Sequence, residues 1–329
     1  MLHIISTHAN CFDGAAAAVI LHQYCKAQRQ DSVLLPHTWG HSFLRDFGQH
    51  VHRAHRVVVL MFDVCPDQEL VDFICRTPAV SLICGDHHVG MKPFMDKVAA
   101  MGHARLRVRF DDSLSGAQLA WLWARDALGG AVDRLNIVLD GADGASSRLL
   151  DVVGASDMYL HKGRPDMEAV NASMRLLHRP DAASLTALLT LPGSYEELLR
   201  DGRLCSRIEG LLCSDLLKRG RAYRLQPSVL VTLRAAGVRI ADAATVFYVQ
   251  AIPQLASEMG FLHVVADMVW LWSKTESARA KRYGVSIRRG RASDIRCDIV
   301  AATLGGGNGH AEAARMAFDA EPLYMFVPC

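Results

Sequence analysis

The sequence predicts an α/β fold whose N-terminal part is a doubly wound, mainly parallel sheet, and three observations support this. Short, continuous apolar runs of strand length recur along the first half of the chain, as expected for strands that are buried on both faces. Stretches of helix length separate these runs, and such alternation is typical of right-handed βαβ units. Three of the runs are followed directly by Asp or His. We therefore expect polar residues to gather at the carboxyl ends of the strands.

Strand and helix signals alternate through the first half. The run His3–Thr7 predicts the first strand, and the alanine-rich stretch from Asp13 to Gln28 predicts the first helix. A second helix begins at Pro66, because proline in a first turn with acidic residues behind it is a typical helix start. The other predicted elements are strands over 33–36, 56–62, 79–85 and 105–111 and an amphipathic helix over 116–128.

The second half begins helical and then returns to mixed structure. From 133 to 220 the pattern is helical, and Ser194 with Glu197 three residues later predicts a capping box. After Gly220 the pattern predicts strands over 244–250, 268–273 and 284–289 and helices over 254–260 and 294–304. A chain of 329 residues favours two domains. We expect a catalytic domain over 1–190, a helical connector over 191–220 and a smaller α/β domain over 221–329.

Composition limits the classes of function. The net charge of +2 argues against a broad basic face for duplex DNA. The nine cysteines show no disulfide-framework spacing, which favours free thiols in a reducing compartment. No leader precedes the first strand, and the longest apolar runs have strand length, so we expect a cytoplasmic protein without a membrane span.

Acidic and histidine residues follow three of the predicted strands. His8 and Asp13 follow the first strand, Asp63 follows the strand over 56–62, and Asp86-His87-His88 follow the strand over 79–85. Carboxyl ends of parallel strands meet at one edge of a sheet. Oxygen and imidazole ligands suit manganese, magnesium or zinc, and two such ions can act together on a phosphate. The pattern predicts a metal-dependent phosphoesterase.

These motifs resemble those of the DHH phosphoesterase superfamily, and the resemblance spans nearly the whole chain. The run Gly305-Gly306-Gly307-Asn308-Gly309-His310 looks like the Gly-Gly-Gly-Gly-His signature of the associated C-terminal domain. Ser286-Ile287-Arg288 looks like the strand that precedes this signature. Each motif alone is weak, but all of them in order point to the nanoRNase or oligoribonuclease-like branch.

The resemblance implies a centre of two manganese ions, with magnesium or another divalent ion as an alternative. The ligands of one ion would be Asp13, Asp63, His87 and a later aspartate. The ligands of the other ion would be His8, Asn10 and Asp63, which bridges the two ions. The segment around Asp157 best resembles the one that carries the later aspartate, and the competing candidates are Asp140, Asp143 and Asp151.

The resemblance also implies roles beside the ions. Asp86 would orient an imidazole, since a histidine at a metal site normally donates its other N–H to such a partner. His88 would face the scissile phosphate as a hydrogen-bond donor or general acid. Substrate contacts in the C-terminal domain would come from Arg288, Gly305, Gly306, Gly307, Gly309 and His310.

The chain departs from the family pattern at its first motif. The common form is His-x-Asp-x-Asp-Gly, whereas this chain has Asn10 at the first acidic position and one extra residue. An amide in place of a carboxylate predicts weaker binding of that ion, with Cys11 as a helper. Asn308 is inserted in the glycine run, and Arg315 stands where the family usually has glycine.

The predicted activity is hydrolysis of short oligonucleotides, or of linear or cyclic dinucleotides, to mononucleotides. One alternative is a phosphomonoesterase or a hydrolase of pyrophosphate or polyphosphate. An alternative of another class is a nucleotide- or RNA-binding module with weakened catalysis, which Asn10 motivates. The choice between RNA and DNA, the polarity of attack and the oligomeric state, a homodimer included, stay open.

Overall fold

The computed structural model describes residues 1–37, 43–51, 55–250, 266–277, 280–290, 293–309 and 313–329. The chain divides into two compact units, Met1–Arg203 and Leu204–Cys329. The division falls within one helix, Ser194–Leu217. The domain limits expected from the sequence, at 190 and 220, stay predictions.

The first unit is built on a five-stranded parallel sheet, as predicted. Its strands are β1 (Leu2–Thr7), β2 (Asp31–Leu34), β3 (Val57–Phe62), β4 (Val80–Asp86) and β5 (Leu106–Phe110). Their spatial order is β2-β1-β3-β4-β5, and all neighbouring strands pair in parallel. From β1 the chain adds β2 on one side and β3, β4 and β5 on the other, so the order of strand addition reverses between β1 and β3. Ligands bind at such a switch point in open α/β sheets.

Helices cover both faces of this sheet. The connecting helices are α1 (Phe12–Ala27), α2 (Phe43–Val51), α3 (Gln68–Arg76) and α4 (Lys92–Ala100). The helices after β5 are α5 (Gly116–Ala127), α6 (Arg148–Asp157), α7 (Pro165–Leu177), α8 (Ala182–Thr190) and α9 (Ser194–Leu217). Ile5 packs with α1 and α5, whereas its neighbour Ile4 packs with α2, α3 and α4. Successive strand residues point to opposite faces, so the sheet is doubly wound.

The second unit contains a seven-stranded mixed sheet. Its strands are β6 (Arg221–Leu225), β7 (Thr245–Gln250), β8 (Met268–Ser277), β9 (Ala280–Arg289), β10 (Asn308–Gly309), β11 (Ala313–Phe318) and β12 (Phe326–Pro328). Their order is β10-β11-β9-β8-β7-β6-β12; β7 and β8 pair in parallel, and the other pairs are antiparallel. Helices α10 (Pro227–Ala235) and α11 (Cys297–Gly305) pack on the core around Trp270.

The prediction of a capping box at Ser194 is wrong. The Ser194 hydroxyl donates to the Leu191 carbonyl at 2.9 Å, and the Glu197 N–H donates to the Gly193 carbonyl at 3.1 Å and not to Ser194. The helix expected over 254–260 lies outside the described residues. In the part of the chain that is described, no helix is long and apolar enough to cross a membrane.

Candidate metal centre

The carboxyl ends of three adjacent parallel strands carry the cluster that the sequence predicts. His8 follows β1, Asp63 follows β3, and Asp86, His87 and His88 lie at the end of β4. Asp63 has a φ of 61°, a left-handed conformation that Asp adopts more readily than most residues. Its N–H still donates to the Gly85 carbonyl at 3.1 Å. The backbone therefore turns directly after β3 while it stays tied to β4.

Asp63 is the residue around which the other donors gather. His87 Nε2 lies 3.1 Å from Asp63 Oδ1. On the other carboxylate oxygen, Cys11 Sγ lies 3.2 Å from Asp63 Oδ2, and His8 Nδ1 lies 4.0 Å from the same atom. The two oxygens of Asp63 therefore face two different sets of donors, which is the placement that a bridging carboxylate needs.

A second group of donors surrounds His87. Its Nε2 lies 3.4 Å from Asp157 Oδ2 and 3.9 Å from Asp13 Oδ2. Asp157 is the last residue of α6, far from β4 in sequence. Three groups have donor atoms that all lie within 4.8 Å of one another: His8, Cys11 and Asp63; Asp63, His87 and His88; and Asp13, His87 and Asp157.

The competing aspartates make other contacts. Asp140 accepts hydrogen bonds from Arg148, and Asp143 accepts from the backbone of Ala145 and Ser146. Neither joins a donor group among the described residues, and Asp151 does not join one either. The placement therefore favours Asp157 as the later aspartate.

The N-terminus of α5 holds Asp13 in place. The Ser115 hydroxyl donates to Asp13 Oδ1 at 2.6 Å, the Ala117 N–H donates to the same oxygen at 3.0 Å, and the Gly116 N–H donates to Asp13 Oδ2 at 2.6 Å. A Cβ on Gly116 would lie 2.2 Å from the Cβ of Asp63, so only glycine fits there. Sequence reasoning missed both Ser115 and Gly116, although Ser115 and Gln118 form a capping box with a recognisable spacing.

Asp86 orients the imidazole of His88. Asp86 is fully buried, and its Oδ1 lies 2.8 Å from His88 Nδ1. The same oxygen accepts the backbone N–H groups of His87 at 2.8 Å and His88 at 3.3 Å. This arrangement fixes the backbone turn that presents both histidines to the cluster.

Charge is concentrated and buried at the centre. Burial, and then the charges of Asp63 and Asp157, raise the pKa of Asp13 well above its ordinary value. Burial alone would raise the pKa of Asp63, but the hydrogen bond with His87 and the charges of the nearby histidines lower it to about 2. Burial alone would lower the pKa of His87, but its hydrogen bond with Asp63 and the three aspartate charges raise it to about 10.

This donor set fits divalent cations. Asp13 and Asp63 are each only 1% exposed, and buried carboxylates are costly unless a positive charge compensates them. Several carboxylates that share one site cannot all ionise without such a charge. Carboxylate and imidazole donors are the ligands that Mn²⁺ and related ions take in proteins.

The first motif differs from the expected ligand arrangement. Asn10 is exposed and has a φ of 60°, a turn conformation that Asn readily adopts. Cys11, and not Asn10, brings its side chain to Asp63. Gly14 is required here, because a Cβ on it would lie 2.1 Å from the His8 carbonyl oxygen.

The residues predicted to contact substrate lie in the second unit. Arg288 is on β9, and its Nη1 donates to the Ile287 carbonyl at 2.9 Å. In the glycine run, Gly306 has a left-handed φ of 59° at the end of α11. A Cβ on Gly307 would lie 2.0 Å from the Arg315 carbonyl oxygen. The left-handed turn at Gly306 and the close packing at Gly307 therefore explain why part of this run is glycine. His310 lies outside the described residues.

Comparison with known proteins supports the fold. No family model matches the sequence, and no curated protein matches it. The structure of RecJ from Thermus thermophilus in complex with Mn²⁺ is similar, with a TM-score of 0.50 and 16% identity over 98% of this chain and 50% of that chain. CDC45 from Entamoeba histolytica also has a TM-score of 0.50, with 8% identity over 98% of this chain and 93% of that chain.

This chain therefore spans about half the length of that RecJ chain. At these identities the likeness shows the fold alone. The parallel sheet of the first unit and the separate sheet of the second agree with it. The chain has a fold similar to those of the RecJ and CDC45 structures.

Proposed function

We propose that this protein is a metal-dependent phosphodiesterase that hydrolyses short oligonucleotides, or linear or cyclic dinucleotides, to mononucleotides. The observation that carries the proposal is the cluster of the buried Asp13, Asp63 and His87 with the half-buried Asp157 at the switch point of the sheet. The similar RecJ structure is a complex with Mn²⁺, which supports a manganese centre. Magnesium or another divalent ion is the alternative.

The donor groups suggest how two ions would be held. Asp13, His87 and Asp157 would hold one ion, His8 would contribute to the other, and Asp63 would bridge them. When bound, such ions would lower the pKa of a water molecule and neutralise the charge that develops on the phosphate. The cluster thus accounts for the chemistry of phosphate-ester hydrolysis.

Residues around the centre hold its side chains in place and supply a hydrogen-bond donor. Ser115 and Gly116 hold the carboxylate of Asp13 with short hydrogen bonds, so its orientation is fixed by α5. Asp86 holds Nδ1 of His88. Donation to a phosphate oxygen or a leaving oxygen therefore falls to Nε2 of His88, the role of a general acid.

Substrate recognition is assigned to the second unit. Arg288 can donate two parallel hydrogen bonds to a phosphate, and backbone N–H groups of the glycine run can donate to another. The N–H groups of Gly306 and Gly307 already donate to the Ala301 carbonyl. The assignment of Gly305, Gly306, Gly307, Gly309 and His310 to substrate contact therefore rests on the resemblance of the motif.

A panel of substrates tests the proposal. Linear and cyclic dinucleotides, a short oligonucleotide, a phosphomonoester and pyrophosphate are incubated with the protein and Mn²⁺, and the products are resolved by mass. We expect mononucleotides from the first three substrates and no product from the Asp63→Asn variant. Cleavage of pyrophosphate or the monoester alone would replace the proposal with the phosphomonoesterase or phosphoanhydride alternative.

The second candidate is a nucleotide- or RNA-binding module without catalysis. The observation that favours it is Asn10, which is exposed and stands where the family has an acidic residue. Tight binding of a dinucleotide, with no hydrolysis under Mn²⁺, Mg²⁺ or Zn²⁺, would establish this function instead.

A further inference from the structure

Cys11 lies where the first motif meets the bridging carboxylate. It is the N-cap residue of α1, with an extended backbone (φ −130°, ψ 152°). Its Sγ is 3.2 Å from Asp63 Oδ2 and accepts the Gly14 N–H at 3.0 Å. The sulfur is therefore held between a backbone donor and a carboxylate, in contact with the cluster.

The donor atoms of His8, Cys11 and Asp63 have the spacing of a small ion site. The distance from Cys11 Sγ to Asp63 Oδ2 is 3.2 Å, the distance from His8 Nδ1 to the same oxygen is 4.0 Å, and all three donors lie within 4.8 Å of one another. Zinc bond lengths of about 2.0–2.3 Å place tetrahedral donors roughly 3.3–3.7 Å apart. Three protein ligands with an open fourth position is also the arrangement of catalytic zinc sites.

The two donor sets around Asp63 differ in chemical softness. The set of Asp13, His87 and Asp157 contains only oxygen and imidazole nitrogen, which suits Mn²⁺. The set of His8, Cys11 and Asp63 contains a sulfur, and thiolate ligands select Zn²⁺ and other thiophilic ions over Mn²⁺. Asn10, the residue that the sequence pattern offers as a ligand, is exposed on the turn.

We propose that Cys11 is a thiolate ligand, so that the position formed by His8, Cys11 and Asp63 takes Zn²⁺ while the position formed by Asp13, His87 and Asp157 takes Mn²⁺. This inference rests on the proposed metal centre and adds to it the identity of one ligand and the selectivity of one position. The extra residue in the first motif then explains the ligand: it places Cys11 where the family motif has its first aspartate.

Cobalt substitution tests the ligand directly. Metal-free protein is titrated with Co²⁺, and thiolate-to-cobalt charge-transfer absorption in the near ultraviolet is recorded together with the Co²⁺ content. We expect the band in the wild-type protein and in Cys75→Ser, a control for a half-buried cysteine on α3. We expect no band in Cys11→Ser. Serine is a good N-cap residue, so this variant keeps the start of α1, and thermal unfolding checks its fold.

Competition between ions tests the selectivity. Protein dialysed against Zn²⁺ and a large excess of Mn²⁺ is expected to retain one of each ion per chain, because Mn²⁺ binds a given site more weakly than Zn²⁺. Cys11→Ser is expected to bind Zn²⁺ at least about 100-fold more weakly. Loss of a partner that only orients a ligand already costs about 10–100-fold. The Cys11→Asp variant, with a hard ligand, is expected to retain Mn²⁺ at both positions.

The outcomes separate the two proposals. If Co²⁺ binds but the band is absent from the wild-type protein or survives in Cys11→Ser, Cys11 is not a ligand and the metal centre itself stands. If the wild-type protein binds no divalent ion at all, both the metal centre and the role of Cys11 are overturned.

Discussion

At the scale of single residues, the centre depends on side chains that hold one another in position. Asp63 directs its two oxygens to His87 and to Cys11, and Asp157 reaches the same imidazole from the end of α6. Buried acceptors held in this way lose little entropy on binding. Substitutions here should therefore affect ion affinity more than stability.

Asp157 and Asp151 form a matched pair on α6. Because only Asp157 lies near His87, we expect Asp157→Asn to weaken Mn²⁺ binding by at least about tenfold, as loss of a ligand interaction does. We expect Asp151→Asn to change it by less than about twofold. Isothermal titration calorimetry with Mn²⁺ measures both, and equal effects in the two variants would remove Asp157 from the ligand set.

Arg288 should act on substrate and not on the chemical step. A residue that binds the ground state and the transition state equally affects KM and leaves kcat unchanged. We expect Arg288→Ala to raise KM for a dinucleotide by about tenfold, the cost of one charge-assisted hydrogen bond, and the exposed Arg239→Ala to leave it unchanged. Steady-state kinetics decides this, and an equal fall in kcat would contradict the role.

The reactivity of the buried Cys25 thiol, which lies away from the centre, can be tested by its rate of alkylation. Burial raises the pKa of this thiol to about 12, and only the thiolate is a strong nucleophile. A raised pKa means that the reactive form is scarce below pH 12. At pH 8 we therefore expect iodoacetamide to label the exposed Cys329 at least 100 times faster than Cys25, as followed by peptide mass spectrometry. Comparable rates in the folded protein would disprove this.

At the scale of elements, the N-termini of α1 and α5 meet at the carboxylate of Asp13. Helix α1 carries Cys11 at its N-cap and Asp13 in its first turn, and α5 begins with the residues that donate to Asp13. The N-terminal end of a helix carries partial positive charge. It therefore stabilises the carboxylate form that a divalent ion needs, against the burial that raises the pKa of Asp13.

The start of α5 can be tested at Ser115. Its hydroxyl caps the helix and donates to Asp13, and loss of an N-cap costs about 0.5–2 kcal/mol. We expect Ser115→Ala to lower the free energy of unfolding by about 1 kcal/mol and also to weaken Mn²⁺ binding several-fold. Ser113→Ala, which removes a contact with the exposed side of Asp111, should leave Mn²⁺ binding unchanged.

Urea unfolding and Mn²⁺ titration of both variants measure these effects. Loss of stability with unchanged Mn²⁺ affinity would limit Ser115 to a capping role.

At the scale of the whole molecule, each unit carries its own group of candidate residues. The first unit carries the cluster at the switch point of its parallel sheet, and the second unit carries the strand with Arg288 and the glycine run. Bound ions should connect several elements of the first unit. The ligand residues lie directly after β1, β3 and β4 and within α1 and α6.

Metal removal should therefore change stability. An ion that binds only the native state at 100 times its Kd adds about 2.7 kcal/mol, so Mn²⁺ should raise Tm and a chelator should reverse the rise. In Asp63→Asn the same addition should leave Tm nearly constant. Differential scanning calorimetry makes the comparison, and a rise of the same size in the variant would show that Mn²⁺ acts elsewhere.

Much of the first unit was predictable. Apolar runs predicted β1, β3, β4 and β5 to within one or two residues, because strands buried on both faces have a strong local signal. The strands β6, β10, β11 and β12 were not predicted. Segments such as Arg221–Leu225 are polar and largely exposed, and Ala313–Phe318 is rich in alanine, so pairing with neighbours and not local preference makes them strands.

Local chemistry in the chain was sufficient to indicate the fold class, the edge of the sheet that bears the cluster and the residues His8, Asp13, Asp63, His87 and His88. Packing in three dimensions was needed to separate Asp157, the best candidate from the sequence, from its competitors Asp140, Asp143 and Asp151. It was also needed to place Ser115 and Gly116 against Asp13, and to put Cys11, expected only as a helper, beside Asp63 in place of Asn10. The reason is physical: the apolar runs predict parallel strands, and parallel pairing brings the carboxyl ends of these strands to one edge of the sheet. Which helix end meets them depends on how side chains from distant parts of the chain fill the same space.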